Sequence, residues 1–218
     1  MTAAKSTVSM LAGVLLVAGC AAADGFGTGA GRDASAVNEG ALHLLQDTPP
    51  TRVLRTRNRL HIRAESLAGG WVELEQCHAD LDPVAALAIE YRYQHMRGLR
   101  IVSVSGVDAA FVAGDGVELT GIRAGAEVCV RAEVQVLIPD AAGGYRLRSG
   151  PFHRRFLDGY YPVRLDYRVE WPANRLTLRS VTPDPQPGFA VTDGSGVLQV
   201  DALFEGMLTI ELQFAARE

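Results

Sequence analysis

Apolar and polar residues alternate along most of the chain from Val53 onward. One side of the first alternating run carries Arg55, Arg57, Arg59, His61 and Arg63. Alternation over this length predicts a half-exposed β-strand, so these cationic side chains are expected to share one face. A turn containing glycine at residues 68–70 and a second alternating run at 71–77 predict that the two strands form a hairpin.

Further short runs rich in Val, Leu, Ile and aromatic residues follow, separated by Gly, Pro, Asp and Asn. They lie at 87–93, 99–104, 110–112, 117–122, 127–138, 145–148, 164–171, 175–181, 188–192, 197–200 and 207–214. Many short strands with such separators predict an all-β fold made of one or two β-sandwich units, rather than βαβ units. A short helix is predicted over Ser35 to Leu45, ended by Pro49-Pro50.

The two halves of this strand-rich region resemble each other in sequence. Residues 89–93 align with 165–169, and residues 124–130 align with 205–210. An offset of about 80 residues is too long for a solenoid repeat and fits a duplicated small β-domain, although strands separated by glycine also align by chance. The predicted organisation is a first sandwich unit at 51–150, a junction at 151–162 and a second unit at 163–218.

The second half also resembles cohesin-like and immunoglobulin-like sandwiches. The order that carries this resemblance is the strand Leu176 to Thr182 with Pro183, then Phe189, then a final strand led by glycine. The resemblance includes no specific motif, so it implies a fold, and no binding activity is carried over from it. This half contains no cysteine, so it lacks the tryptophan-disulfide signature of true immunoglobulin domains.

The first twenty residues follow a different pattern. Lys5 precedes an apolar run at 10–16, which is followed by Val17-Ala18-Gly19-Cys20. The run is too short to span a bilayer and has the layout of a secretory signal. This segment resembles a bacterial lipoprotein signal peptide with its lipobox. The resemblance implies cleavage before Cys20, acylation of the Cys20 thiol with fatty acids such as palmitate, and attachment to a membrane.

Ala21 follows the predicted acylation site. By the same resemblance, a residue other than Asp at this position favours the outer membrane, with the protein facing the periplasm. The alternative is an ordinary secretory signal cleaved at residues 21–23, which would leave the protein without lipid. Residues 21–50 are rich in glycine at their start and predict a flexible tether.

Charge narrows the range of partners. The chain has 21 Lys and Arg against 25 Asp and Glu, a net charge of −4, and Lys5 is its only lysine. A net negative charge favours solubility and argues against a broad nucleic-acid surface, so no nucleic-acid partner is predicted.

Two further cysteines, Cys77 and Cys129, lie in strand-like runs. In an oxidising periplasm they are expected to form a disulfide. The bridge would close a loop of about 53 residues and stabilise the fold by about 4 kcal/mol in the chain-entropy model. The alternatives are two buried free thiols, or a metal site completed by His78, although the spacing is unlike that of zinc sites.

Two segments are candidates for binding. Arg55, Arg57 and Arg59 could grip phosphates or carboxylates if they are unpaired. The alternative is cross-strand pairing, with Arg63 opposite Glu73 and His61 opposite Glu75. The second candidate is the junction 151–162, whose binding residues are predicted to be His153, Arg154, Arg155, Asp158, Tyr160 and Tyr161.

The junction combines aromatic and arginine side chains, which are favoured interface anchors, and clefts between domains often bind ligands. The alternative is a rigid linker whose aromatic residues pack internally and whose turn is made by Asp158-Gly159. Three common catalytic motifs, G-x-S-x-G, H-E-x-x-H and S-x-x-K, do not occur in the chain.

The sequence therefore predicts a non-enzymatic envelope lipoprotein without metal or other cofactor. Its predicted role is recognition, scaffolding or assembly through contacts with an envelope protein partner. Two alternatives stay open. The first is a binder of anionic glycan or lipopolysaccharide, and the second is an envelope hydrolase whose site has no recognisable motif.

Overall fold

The computed structural model describes residues 38–50 and 52–217, and this part of the chain is almost entirely β-strand. The predicted signal peptide, Cys20 and the first part of the predicted tether lie outside the described residues. The strands are β1 (His43–Leu44), β2 (Leu54–His61), β3 (Trp71–Ala79), β4 (Ala86–Glu90), β5 (Met96–Ser105), β6 (Ala109–Ala113), β7 (Gly116–Thr120), β8 (Glu127–Gln135), β9 (Leu137–Pro139), β10 (Tyr145–Phe152), β11 (Arg154–Phe156), β12 (Gly159–Tyr161), β13 (Val163–Glu170), β14 (Leu176–Thr182), β15 (Phe189–Gly194), β16 (Val197–Glu205) and β17 (Leu208–Ala216).

One helical turn, α1 (Ser66–Gly69), links β2 to β3. The all-β fold class predicted from the alternation is therefore confirmed. Within the described ranges, no helix has the length and apolar character needed to cross a membrane.

A large eight-stranded sheet organises the molecule. Its order is β1-β16-β13-β2-β3-β8-β5, and β15 also pairs with β16. A four-stranded sheet, β14-β17-β10-β9, and a three-stranded sheet, β4-β7-β6, complete the two sandwiches, while β11 and β12 form a separate hairpin. Alternate residues of the large sheet are buried, as in β13, where Val163, Leu165, Tyr167 and Val169 are buried and the residues between them are more exposed.

The two smaller sheets pack on the same inner face of the large sheet. Val134 of β8 belongs to a core shared with Leu147 and Leu212 of the four-stranded sheet. Val130, on the same face of β8, belongs to a second core that includes Leu119 of the three-stranded sheet. Burial of about 25 cal/mol per Å² of apolar surface in these two cores supplies the main driving force for the fold.

The two sandwiches repeat one pairing scheme. Strand β4 pairs with β7, β6 with β7 and β5 with β8. In the second half β13 pairs with β16, β15 with β16 and β14 with β17. The sequence alignment of 89–93 with 165–169 and of 124–130 with 205–210 places β4 with β13 and β8 with β17 in this scheme. The duplication itself stays a prediction.

Strands from both predicted units share the two larger sheets. Strand β2 lies at the centre of the large sheet, parallel to β13 on one side and antiparallel to β3 on the other. Strand β10, which the sequence placed in the first unit, pairs with β17 of the second half. The predicted junction at 151–162 begins within the last two residues of β10, and β9 precedes β10 in the same four-stranded sheet.

Two local predictions were wrong. The helix predicted over 35–45 is not found in its described part, because His43 and Leu44 pair with Glu205 and Phe204 of β16 as a strand. The end of the predicted tether thus belongs to the sheet. In the hairpin, His61 rather than Arg63 lies opposite Glu73, because α1 makes the connection longer than a tight glycine turn.

Candidate functional site

The arginine stripe lies on the outer face of the large sheet. Along β2 the exposed residues are Arg55, Arg57, Arg59 and His61, and the residues between them are buried, apart from Leu54, which is half-buried. The predicted shared face is therefore confirmed. Because β2 is a central strand, these side chains lie in the middle of a broad surface and not along a sheet edge.

Acidic neighbours compensate part of this positive charge. Arg57 lies 3.5 Å from Glu127, and Nη2 of Arg63 donates to Glu73 at 2.8 Å. This hydrogen bond lowers the pKa of the Glu73 carboxyl. Arg55 forms no ion pair with any residue in 38–50 or 52–217. The outer face is thus a mixture of paired and unpaired cations.

A disulfide joins Cys77 and Cys129, which face each other on β3 and β8. The predicted bridge is confirmed, and the alternative of two free thiols is wrong. The metal alternative is wrong as well, because both sulfurs are bonded to each other and His78 lies on the opposite face of β3 from Cys77. The Glu127 carboxylate lies close to both sulfurs, but sulfurs that are bonded to each other are not available as thiolate ligands for a metal ion.

The junction folds into the β11–β12 hairpin, which a salt bridge fastens to the rest of the molecule. The Arg154 guanidinium donates two hydrogen bonds to the carboxylate of Asp82, in the loop after β3. It also donates to the carbonyl oxygens of Arg52 and Pro162. Only 11% of the Arg154 side chain is exposed. Charge-assisted pairing with two contacts fixes both distance and orientation.

Aromatic contacts stiffen the hairpin itself. The rings of Phe156 and Tyr161 meet edge to face, and Arg154 lies over both. The Tyr161 hydroxyl donates to Asp158 at 2.5 Å, and this bond closes the turn. Leu157 projects from this turn and is fully exposed. The hairpin is thus a braced element with an apolar residue at its tip.

Next to the hairpin, a cavity of about 210 Å³ lies where neither smaller sheet covers the large sheet completely. Thr56 of β2 with Gln76 and His78 of β3 line it from the large sheet. Strand β4, the segment Tyr91–Tyr93, the end of β10 and the start of the hairpin form its other walls. Of the predicted binding residues, His153, Arg154 and Arg155 line this cavity, whereas Asp158, Tyr160 and Tyr161 do not.

His78 is the cavity residue with the most altered chemistry. Burial lowers its pKa to about 4, so the imidazole is neutral at neutral pH. Its Nδ1 lies 3.3 Å from the Thr56 hydroxyl, and its Nε2 has no hydrogen-bond partner within the described part of the chain. Burial also raises the pKa of Tyr91, so this phenol stays protonated, and its hydroxyl likewise has no partner there.

This arrangement suits binding better than hydrolysis. A general base works best when its pKa lies near the operating pH, and that of His78 lies well below it. The carboxylate of Asp82, which lines the same cavity, is bound by Arg154. The hydroxyl, the imidazole and the carboxylate therefore do not form a relay among themselves.

Sequence reasoning missed Thr56, Gln76 and Tyr91 as site residues, whereas it named His78 as a possible ligand of a metal site. A signal was present, because Thr56 and Asn58 occupy the inward side of the alternation that places Arg55 and Arg57 outside. Polar residues at core-facing positions of a strand require partners or a cavity. The contribution of Tyr91, from the segment after β4, depends on the tertiary fold and has no local signature.

Comparison with known proteins gives no family assignment. No protein-family model matches the chain, and no curated protein matches it. One similar solved structure is a variant of an M1 zinc metallopeptidase from Deinococcus radiodurans bound to a Tyr-Ser-Ala substrate. It has 14% identity and a TM-score of 0.39, over 73% of this chain and 42% of that chain.

A second similar structure is a two-domain M1 zinc metallopeptidase variant bound to L-tryptophan. It has 13% identity and a TM-score of 0.38, over 76% of this chain and 43% of that chain. This chain therefore spans less than half the length of either structure. Neither likeness assigns an activity to it.

Proposed function

We propose that this protein is an envelope lipoprotein that acts by non-covalent recognition of an envelope protein. Acylation at Cys20 would attach it to the outer membrane on the periplasmic side. The β-sandwich body would then present its binding elements close to that surface. Confinement to a surface raises the effective concentration of a partner that is held in the same membrane.

The braced hairpin is the observation that carries this proposal. Leu157 stands fully exposed at the tip, while Arg154 and Tyr161 hold the hairpin in one arrangement. Holding a binding loop in place before association reduces the entropy that is lost on binding. Arginine and tyrosine, which frame Leu157 in this hairpin, are also among the residue types enriched at protein interfaces.

Site-specific photo-crosslinking in intact cells tests the proposal. A photoreactive phenylalanine analogue placed at Leu157 should give one discrete adduct with an envelope protein. Ile138, which is 48% exposed on the short strand β9, is the matched control position and should not give that adduct. No adduct from position 157, or the same adducts from both positions, would contradict a docking role for the hairpin.

Anionic glycan is a second candidate partner, favoured by the register of β2 and β13. This register places Arg55 beside Arg164 and Arg59 beside Arg168. Like charges on facing positions are unfavourable, and an anionic ligand between them would offset this repulsion. Arg164 and Arg168 also pair with Asp201 and Glu170. Salt-sensitive binding of lipopolysaccharide, lost in an Arg55→Ala/Arg57→Ala/Arg59→Ala variant, is expected. If the variant still binds lipopolysaccharide, the arginine stripe is not the binding site.

A further inference from the structure

The inner face of the large sheet is apolar beneath both smaller sheets but polar between them. Thr56 pairs across the strands with His78, and Asn58 pairs with Gln76. All four side chains are buried. A row of four neutral polar residues across two central strands interrupts what would otherwise be a continuous core.

Among the cavity-lining residues, two buried polar atoms have no hydrogen-bond partner within the described residues: His78 Nε2 and the Tyr91 hydroxyl. Both residues are at least nine-tenths buried, and both line the cavity beside the hairpin. A buried polar group without a hydrogen bond lowers stability, so most such groups in folded proteins are paired. A ligand that accepts or donates hydrogen bonds at these atoms would satisfy them.

The charges at the cavity argue for an uncharged ligand. Asp82 is bound by Arg154, and Glu90 lies within 3.2 Å of Arg92. His78 is neutral at neutral pH, as its lowered pKa requires. Arg155 also lines the cavity, but it is exposed and lies over the Tyr160 ring. A charged ligand buried among the deeper residues would meet no free opposite charge there and would lose its hydration.

The apolar residues that line the rest of the cavity favour a ligand that contains a ring. Leu54, Leu87 and Phe152 give the cavity apolar surfaces beside the neutral polar groups. Its volume of about 210 Å³ is above the roughly 150 Å³ of an apolar cavity that holds benzene. A small number of polar groups on mostly apolar walls is the usual composition of a small-molecule site.

We propose that this cavity binds an uncharged ring compound that carries hydroxyl or amide groups, the chemistry of a neutral sugar residue. The hydroxyl or amide groups would bond to His78 and Tyr91, and the apolar face of the ring would pack against Phe152. This small-molecule site goes beyond the hairpin's proposed protein partner, since neither binding event requires the other.

Titration calorimetry on the full mature protein, in a detergent without sugar headgroups, tests the proposal. The probes are glucose with glucuronate, and N-acetylglucosamine with glucosamine. At least one neutral member should bind, about tenfold or more tighter than its charged counterpart. If neither neutral probe binds at millimolar concentration, or the charged member of each pair binds equally well, the proposal is overturned.

Variants tie the binding to the cavity. His78→Leu and Tyr91→Phe each remove an unpartnered polar atom with little change in size, and each should weaken binding of the neutral probe about tenfold. Without ligand, the melting temperature of Tyr91→Phe should be unchanged or higher, which a purely structural role would not give. His78→Leu also removes the contact of Nδ1 with the Thr56 hydroxyl, so this readout applies to Tyr91→Phe alone. His61→Leu on the outer face is the control and should bind normally. Wild-type affinity in both cavity variants would overturn the proposal.

If His78→Leu does not fold, Tyr91→Phe alone tests whether the probe binds in the cavity.

Methyl glycosides and the matching trisaccharides distinguish two sources of the same ligand chemistry. Tighter binding of the trisaccharide indicates the end of a polysaccharide, and equal binding indicates a free sugar. Both results support the site.

Discussion

Arg154 and Asp82, which lie 72 residues apart in the chain, are joined by two hydrogen bonds. Their side chains are only 11% and 22% exposed. This pair fastens the β11–β12 hairpin to the loop that follows β3. It therefore connects the two segments that border the cavity on one side.

Breaking this pair should destabilise the protein strongly. Arg154→Ala leaves the Asp82 carboxylate largely buried without its partner, and we expect the free energy of unfolding to fall by about 2–4 kcal/mol in urea titrations. The control is Arg164→Ala, which breaks the exposed pair with Asp201 and should cost less than about 1 kcal/mol. If the free energy of unfolding falls equally in the two variants, the Arg154–Asp82 pair stabilises the fold no more than an exposed ion pair does.

Stability should fall as the pH is lowered towards 4 because of His78. Its pKa is about 4 in the folded protein and about 6.5 when unfolded, so between these values the unfolded state binds more protons. The contribution is fully present above pH 6.5, and about 3 kcal/mol is lost by pH 4. His78→Gln should remove this component from pH-dependent unfolding curves. A curve for His78→Gln that runs parallel to the curve of the wild-type protein would contradict the burial of His78 as a neutral ring.

Removal of the Cys77–Cys129 bridge should lower stability without changing the fold. The Cys77→Ala/Cys129→Ala variant is expected to lose about 4 kcal/mol in the chain-entropy model for a loop of about 53 residues. Circular dichroism should still report a strand-rich protein, and urea unfolding gives the loss. Rapid alkylation of Cys77 and Cys129 in the wild-type protein without reductant would show that the bridge is not formed.

Leu157 should matter for docking and hardly at all for folding. Since Leu157 is fully exposed, Leu157→Asp should change the free energy of unfolding by no more than about 0.5 kcal/mol. With the photo-crosslinker moved to Arg155, the same substitution should reduce the adduct with the partner at least about tenfold. An undiminished adduct would place the contact elsewhere on the hairpin.

Local patterns predicted most of the strands because their side chains alternate between core and solvent. The runs at 164–171 and 175–181 differ from β13 and β14 by a residue at the ends. The predicted β2–β3 register differs from the observed one by two residues. The helical turn α1, which lengthens the connection, has no strong sequence signal. The fold class follows from periodicity, whereas the register depends on the connection.

Long-range partners explain what the sequence could not supply. Strand β1 forms because His43 and Leu44 pair with the last two residues of β16, beyond the residues that pair with β15. The local sequence of His43 and Leu44 predicts part of a helix. The cavity is built from β2, β3, the segment after β4 and the end of β10, which adjoin only after both sandwiches share one sheet. The junction was predicted as a binding segment, but the buried wall opposite it was not.

The lipid anchor at Cys20 decides where the hairpin could meet a partner. Intact-mass spectrometry of the protein extracted from membranes tests the anchor directly. We predict a mature chain that begins at Cys20 and carries the added mass of its acyl groups, and a Cys20→Ala variant that lacks them. A chain that retains Met1, or one that is cleaved at residues 21–23 without any acyl mass, would contradict a lipid-anchored role.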